Sequence, residues 1–303
     1  MATVSAFPVA PYSAPVAYDM EGIPLSIQED ALSYYPEFRM VCGWHEDLEV
    51  LLVEEGEMDF YVDGEAVALS EGDCLLIGPG KMHFGLSRDG SDCSFLSVLF
   101  HPSLITANRK IYSEFLQPAL TDPAFACVRF PAETDAAAEI TQQLEEILSM
   151  KEEEVYGYPL IAAGILSGLL MKHAVPAIDT DPVCAEVRAR TPAVRTRVRS
   201  VQQMLSCIIQ NYTEEPSLDE IAESGAQSKS TCCRLFRAYL GQSPVDYLNA
   251  YRLQASCKLL AESSLKINDV AAQCGFNNTS YYIRMFQRSY GITPRDYRMQ
   301  AWE

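Results

Sequence analysis

The sequence predicts an α+β multidomain chain. An antiparallel β-barrel with appended helices is followed by an all-α domain carrying two helix-turn-helix motifs. Three observations point there. The 303 residues suggest two domains, at about 150 residues per domain. Turn signals cut the front of the chain into short apolar runs, and the last hundred residues or so repeat themselves at a period near 50.

Composition narrows the class. Hydrophobic content of 48% with 21% charged residues is that of a globular chain and excludes disordered and fibrous architectures. The net charge of −18 argues against a nucleic-acid partner for the chain as a whole, but it is unevenly spread. Residues 1–190 hold 31 acidic and 10 basic side chains, whereas residues 191–303 hold 10 acidic and 13 basic. An acidic front and a mildly basic back imply different partners, and the small basic excess predicts modest non-specific affinity for DNA.

Residues 1–18 contain no Lys or Arg and are interrupted by Pro8, Pro11 and Pro15, unlike a secretory signal. The apolar stretch Leu160–Met171 is shorter than the roughly 20 residues that span a bilayer. The ten cysteines lack CxxC spacing, and Cys207, Cys232 and Cys257 fall in apolar-periodic stretches. Reduced thiols in a cytoplasmic protein without a membrane partner are expected.

Taken in order, residues 1–36 are rich in Pro, Tyr and Ala and read as an N-terminal arm. Residues 37–101 read as the barrel. Glu55-Gly56, Asp63-Gly64, Glu71-Gly72, Pro79-Gly80 and Asp89-Gly90 break runs such as LEVLLVE and CSFLSVLF, and Asp63-Gly64 suits a two-residue hairpin turn. Residues 102–175 read as helical. Within 133–151, Ile140, Leu144, Ile147 and Leu148 recur at helical spacing, and 158–173 form a second, more apolar helix. The stripe Ile140, Leu144, Ile147 has two open uses, a cap on the barrel or a dimer seam. Residues 176–196 carry three prolines and read as a linker, and 197–303 read as helix throughout.

Leu218, Ile221 and Ala222 recur 49 positions later as Ile267, Val270 and Ala271. Arg234, Phe236, Gly241, Pro244, Asp246 and Tyr247 recur 50 positions later as Arg284, Phe286, Gly291, Pro294, Asp296 and Tyr297. Each unit is a short helix, a tight turn and a longer helix ending at Gly. Ser243 or Thr293 then caps the next helix, with Pro at its first position and an Asp able to reach back. That is the helix-turn-helix plan, whose second helix can enter a major groove. The second helices begin with short polar groups, Ser228, Lys229 and Ser230, then Asn277, Asn278 and Ser280. A helical repeat that binds protein is the competing reading.

The segment from SLDEIAESGAQSKSTCCRLF to GFNNTSYYIRMFQRSYGITPRDYR resembles the paired helix-turn-helix domain of the AraC/XylS transcription regulators. The resemblance implies that Pro244–Glu262 is a linker helix joining two DNA-reading motifs. It further implies base-edge roles for Lys229, Ser230, Cys233 and Arg234, and for Asn277, Asn278, Ser280, Tyr281 and Arg284. Arg237, Gln287 and Arg288 are the implied phosphate contacts. An internal salt bridge is the alternative use of Arg234 and Arg284. Four positions depart from the family pattern: Ala226 and Gln227 replace Gly and an apolar residue, Cys232 replaces a core Leu, and Tyr282 replaces Phe.

The front half, from Trp44-His45 to PGKMHF, resembles the cupin-type sensor barrel found in many of these regulators. His45 and Glu49 are four apart, and Pro79, Gly80 and His83 follow Gly72. Cupin enzymes hold a metal with two His, one Glu and a later His; here Gly43 stands in place of the first His. The resemblance implies an effector site at Trp44, His45, Glu49 and His83, and the nearby Trp44, Phe84 and Tyr61 are candidates for an apolar wall. The strand register, and whether the three donors bind a metal, stay open. Rim histidines satisfied by carboxylates are the bland alternative.

No nucleophile constellation or phosphate-cradling glycine loop is present in the sequence, and His101 and His173 read as structural. The expected protein is a non-enzymatic, cytoplasmic transcription regulator without a cofactor. Its expected partners are double-stranded DNA, a small-molecule effector, a second copy of the chain and, for an activator, RNA polymerase. A metal-dependent cupin enzyme with a helical tail is the alternative, and a protein-binding adaptor the third.

Overall fold

The computed structural model describes residues 18–106 and 109–302 and divides into two units. One runs to Leu32 and resumes over Trp44–Thr191, and the other combines Ser33–Gly43 with the chain from Pro192 onward.

In the first unit the strands are β1 (Leu25–Ala31), β2 (Leu48–Val62), β3 (Glu65–Ser70), β4 (Cys74–Ile77), β5 (His83–Leu86), β6 (Cys93–Phe100) and β7 (Cys127–Phe130). They pair antiparallel in the order β1-β6-β2-β4-β7, with β3 and β5 also on β2. One long strand serves both ends of the barrel because its pairing with β6 shifts between Val53 and Glu55. A bulge bends a strand and strengthens its twist. Before it β2 pairs with β6 and β4; beyond it the β6 pairing continues to Gly56, and β2 then pairs with β3 and β5. Asp63 and Gly64 both have positive φ, 50° and 88°, as the expected hairpin turn demands.

Alternation along each strand then sorts the faces. Leu48, Val50 and Leu52 join Leu96, Val98 and Phe100 in a core shared with α1 (Asp135–Glu152) and α2 (Tyr158–Ala177). Ile140, Leu144 and Ile147 are completely buried in that core. The stripe therefore caps the barrel, and the dimer-seam use of it is corrected: no apolar surface is left there for a second chain. Helix α2 is long and apolar enough to cross a membrane by length and composition. Its inner side, including Ala162, Leu166, Leu169 and Leu170, belongs to the same core.

Two boundary expectations change. Leu25–Ala31 is strand rather than arm, because Leu25 and Ile27 bury against β6 partners; residues 1–17 of the expected arm lie outside the described residues. The expected linker contains α3 (Pro182–Ala189), capped by Asp181 and opened by Pro182, and its end begins the next helix. Pro182 and Pro192, which look like breakers in the sequence, stand here at first helical positions, where a missing N–H costs nothing.

The second unit contains α4 (Pro192–Gln210), α5 (Leu218–Ser224), α6 (Lys229–Leu240), α7 (Pro244–Glu262), α8 (Ile267–Gln273), α9 (Thr279–Tyr290) and α10 (Pro294–Trp302). The repeat is visible in its caps. Ser217 with Glu220 and Ser243 with Asp246 form reciprocal capping boxes, and Thr293 with Asp296 pairs in the same way, hydroxyl to carboxylate at 2.6 Å. Each cap contributes about 1 kcal/mol. Helix α7 buries Tyr247, Leu248, Tyr251, Leu253, Cys257 and Leu260, which lie on more than one side, as expected of a helix that packs both motifs. All ten cysteines are free thiols; only Cys207 and Cys233 are not fully buried.

The turn inside each motif needs a left-handed residue. The second motif uses Gly275 at φ +81°, where a Cβ would lie 2.6 Å from the Tyr212 carbonyl oxygen. The first uses Ala226 at φ +52°. A side chain in this region costs about 1–2 kcal/mol, partly offset by the greater chain entropy glycine loses on folding. Ala226→Gly is therefore expected to stabilise the second unit by about 0.5–1 kcal/mol, read as a rise in melting temperature without loss of DNA binding.

Candidate nucleic-acid interface and ligand cluster

Helices α6 and α9 present equivalent faces. In α6, Cys232, Leu235 and Phe236 are buried, while Lys229, Ser230, Arg234 and Arg237 are exposed and Cys233 is half-buried. In α9, Tyr282 and Phe286 are buried, while Ser280, Tyr281, Arg284, Gln287 and Arg288 are exposed. Residues three and four apart share a helix face, so Ser230, Arg234 and Arg237 form one stripe and Ser280, Arg284 and Gln287 its counterpart. Among the described residues, Arg234, Arg237 and Arg284 form no ion pair, and the internal salt-bridge use of Arg234 and Arg284 is not what the structure places there.

The remaining sequence candidates already have local tasks. Ser228 is the N-cap of α6, accepting from the Thr231 N–H at 3.3 Å, and Asn278 is the N-cap of α9, accepting from the Tyr281 N–H at 2.9 Å. Lys229 pairs with Asp219 at 2.7 Å, and Asn277 donates to Glu215 at 2.9 Å. Arg288 lies 3.9 Å from Glu37. The two ion pairs are exposed contacts worth at most about 1 kcal/mol, which a phosphate can displace.

Beneath the second motif is a residue that sequence reading passed over. Arg252 on α7 is buried, donates through Nε to the Tyr212 carbonyl at 2.7 Å, and lies 5.7 Å from the Phe276 ring centroid. It ties the end of α4 to the turn of the second motif, and a buried arginine in a helix pattern was the available signal.

In the sensor unit, His45, Glu49 and His83 converge, with ligating atoms all within 4.8 Å of one another. The strand geometry explains this. Glu49 and Leu51 share the face of β2 that turns away from α1 and α2, and Ser97 sits opposite Leu51 in the β2–β6 register. That diagonal brings the Ser97 hydroxyl to donate to Glu49 Oε1 at 2.7 Å. His83 lies opposite Val62, and its Nε2 is 3.2 Å from Glu49 Oε2, with His45 Nε2 at 3.5 Å.

Both Nδ1 atoms face backbone carbonyls, His45 at 3.0 Å from Asp47 O and His83 at 2.8 Å from Lys81 O. Carbonyls only accept, so each Nδ1 carries a hydrogen and each Nε2 points at the carboxylate. The His45 Nε2 is buried and makes no hydrogen bond; at 3.5 Å it is at ion-pair range without hydrogen-bond geometry. Neutral rings would set two lone pairs against a carboxylate, an arrangement that calls for a proton or another cation between them. Burial alone would push the Glu49 carboxyl up, but the His45 and His83 imidazoles facing it outweigh that effect and hold Glu49 well below the usual carboxylate range. Burial likewise disfavours the His45 cation, yet the Glu49 carboxylate prevails and the imidazole pKa is raised.

The cluster can donate hydrogen bonds to a polar ligand. Its two imidazoles and one carboxylate also fit a divalent transition metal held on one side with other positions open, where bound metal would supply a Lewis acid. The expected apolar wall is different. Phe60, not Tyr61 or Phe84, stacks on His83, with centroids 6.0 Å apart. Tyr61 and Phe84 stack on each other at 4.9 Å, opposite one another in the ladder. His83 and Phe84 are consecutive on β5 and so point to opposite faces. Trp44, half-buried, immediately precedes His45.

A barrel holding a buried polar cluster, followed in the same chain by two helix-turn-helix motifs with exposed polar faces, is the plan of a transcription regulator with a ligand-binding domain. Residues 31–170 match the AraC-like ligand binding domain and residues 221–300 a helix-turn-helix domain. The HTH-type transcriptional regulator YdeC of Bacillus subtilis is 27% identical over 255 residues, 84% of each chain. The HTH-type transcriptional activator RhaS of Yersinia pestis is 23% identical over 284 residues, 93% of this chain and 96% of its own. The crystal structure of ToxT from Vibrio cholerae O395 aligns over 91% of this chain and 98% of that one, at 14% identity and a TM-score of 0.45. The chain belongs to the AraC/XylS family of transcription regulators.

Proposed function

We propose that the chain is a cytoplasmic, homodimeric transcription activator whose effector is a small polar molecule bound at His45, Glu49 and His83, with Trp44 beside it. The proposed base-reading side chains are Ser230, Cys233, Arg234, Ser280, Tyr281 and Arg284. Lys229 and Asn277 join them once released from Asp219 and Glu215, while Ser228 and Asn278 set the helix starts. Arg237, Gln287 and Arg288 position the duplex through phosphates, which orient without specifying sequence. The observation that carries this reading is the repeated exposed face of α6 and α9, with arginines at the same place in both that form no ion pair among the described residues.

An effector changes occupancy only through different affinity for two arrangements of the protein. A homodimer raises the effective concentration of one DNA-binding domain for its half-site once the other is bound, and an activator then meets RNA polymerase at the promoter. Selection of duplexes from a random pool by the full chain, followed by footprinting with and without metabolite fractions, tests the reading. The expected result is a site with two contacted major grooves about 10 base pairs apart, bound with steep salt dependence. Recovery of no preferred sequence, and no salt-dependent shift, would favour the adaptor reading.

A further inference from the structure

Ser33–Gly43 lies between β1 and β2 in the sequence, yet it packs as part of the helical unit. Tyr35, Pro36, Met40, Val41 and Cys42 are buried. The 3₁₀ turn Pro36–Phe38 rests on α7 and α9. Glu37 and Phe38 both hold left-handed φ, 55° and 53°, a backbone state that persists only where the surroundings enforce it.

Its polar contacts reach both motifs. The completely buried Tyr247 of α7 donates its hydroxyl to the Cys42 carbonyl at 3.0 Å. The Arg39 guanidinium donates to the carbonyl of Leu240, the last residue of α6, where cations are favoured by the helix dipole. Glu37 approaches Arg288 in the last turn of α9. Tyr34 lines a groove of about 320 Å³ with Tyr290, Ile292 and Tyr297, at the junction of α9 and α10.

We propose that Ser33–Gly43 is a strap that holds the two DNA-reading motifs in register, with Arg39 and Tyr247 as its positioning residues. The strap grips the end of the first recognition helix, the helix between the motifs and the end of the second recognition helix. Its sequence position adds meaning: His45 follows the strap's last residue by two positions, so the strap is covalently continuous with the segment that carries the ligand cluster. The inference rests on the DNA-reading assignment above.

The test uses the full chain, the duplex it selects, and duplexes with one base pair inserted or removed between the two contacted grooves. In the unsubstituted chain, respacing is expected to cost about tenfold or more in affinity. Tyr247→Phe and Arg39→Gln are each expected to keep the base preferences at both grooves while the respacing penalty falls below about threefold. An unchanged penalty overturns the strap, as does a uniform loss on every duplex that tracks a lowered melting temperature. If Tyr247→Phe fails to fold, Arg39→Gln, at a half-buried side chain, decides between the same outcomes by itself. A chain that selects no duplex overturns the DNA-reading assignment and the strap with it. A selected duplex with normal respacing behaviour in both variants overturns the strap alone.

Discussion

Arg284→Ala is expected to abolish base preference at one position of the selected site while leaving the fold intact. The side chain is exposed on α9, one turn beyond Ser280, and forms no ion pair among the described residues. Its removal therefore leaves no buried charge and costs little stability, since exposed substitutions away from special features usually stay within about 0.5 kcal/mol. An arginine paired to a guanine edge contributes about 1–3 kcal/mol of discrimination, or about 5- to 150-fold between the preferred base and its substitutes. The measurement is affinity for the selected duplex and for three single-base variants of it. Equal losses on all four duplexes would reassign Arg284 to a phosphate. The matched substitution Arg234→Ala tests whether the first motif reads bases as strongly, given its departures at Ala226, Gln227 and Cys232.

Glu49→Ala should be the most damaging single change to the sensor unit. The carboxylate is buried and gathers the Ser97 hydroxyl and both Nε2 atoms. Removing one partner of a buried charged cluster costs about 3 kcal/mol or more, moderated here because the His45 imidazole can give up its proton. The signs of the shifts then fix a pH profile. His45 has a raised pKa, so its contribution is full below its ordinary value of 6.5 and is lost as pH rises through the folded-state value. Glu49 has a lowered pKa, so its contribution is full above 4.5 and is lost as pH falls through the folded-state value. Cluster stabilisation should thus be greatest between pH 4.5 and 6.5. Chemical denaturation of the metal-free full chain across about pH 4–9 should show the excess, and Glu49→Gln should flatten it. An unflattened profile in that variant would place the pH dependence elsewhere.

How far these assignments are legible in the sequence differs between the halves. The 49- and 50-residue offsets place the caps at Ser243 and Thr293 and the buried aromatics at Phe236, Phe286, Tyr247 and Tyr297, and the structure has all of them. Helical periodicity also places exposure, so the polar stripes of α6 and α9 are readable as stripes. The capping tasks of Ser228 and Asn278 are not separable from base reading there, because short polar residues at a helix start serve either purpose. In the barrel, spacing finds His45, Glu49 and His83, whereas it does not find Ser97 and Phe60. They reach the cluster through β2–β6 pairing and the β2–β5 ladder, and a shift of one residue would send both away from it.

The amino-acid sequence by itself determined the elements, their caps, the repeat and the polar character of two helix faces. These depend on residues within a few positions of one another, where backbone preference and side-chain period act directly. Only the tertiary structure decided that the Ile140 stripe faces the barrel, that Glu49 meets Ser97, and that Ser33–Gly43 belongs with the helices rather than with the strands on either side of it. Those outcomes rest on contacts between segments distant in sequence. Burial of apolar surface drives such contacts without regard to direction, so which partner covers a given face is settled only when the whole chain has packed.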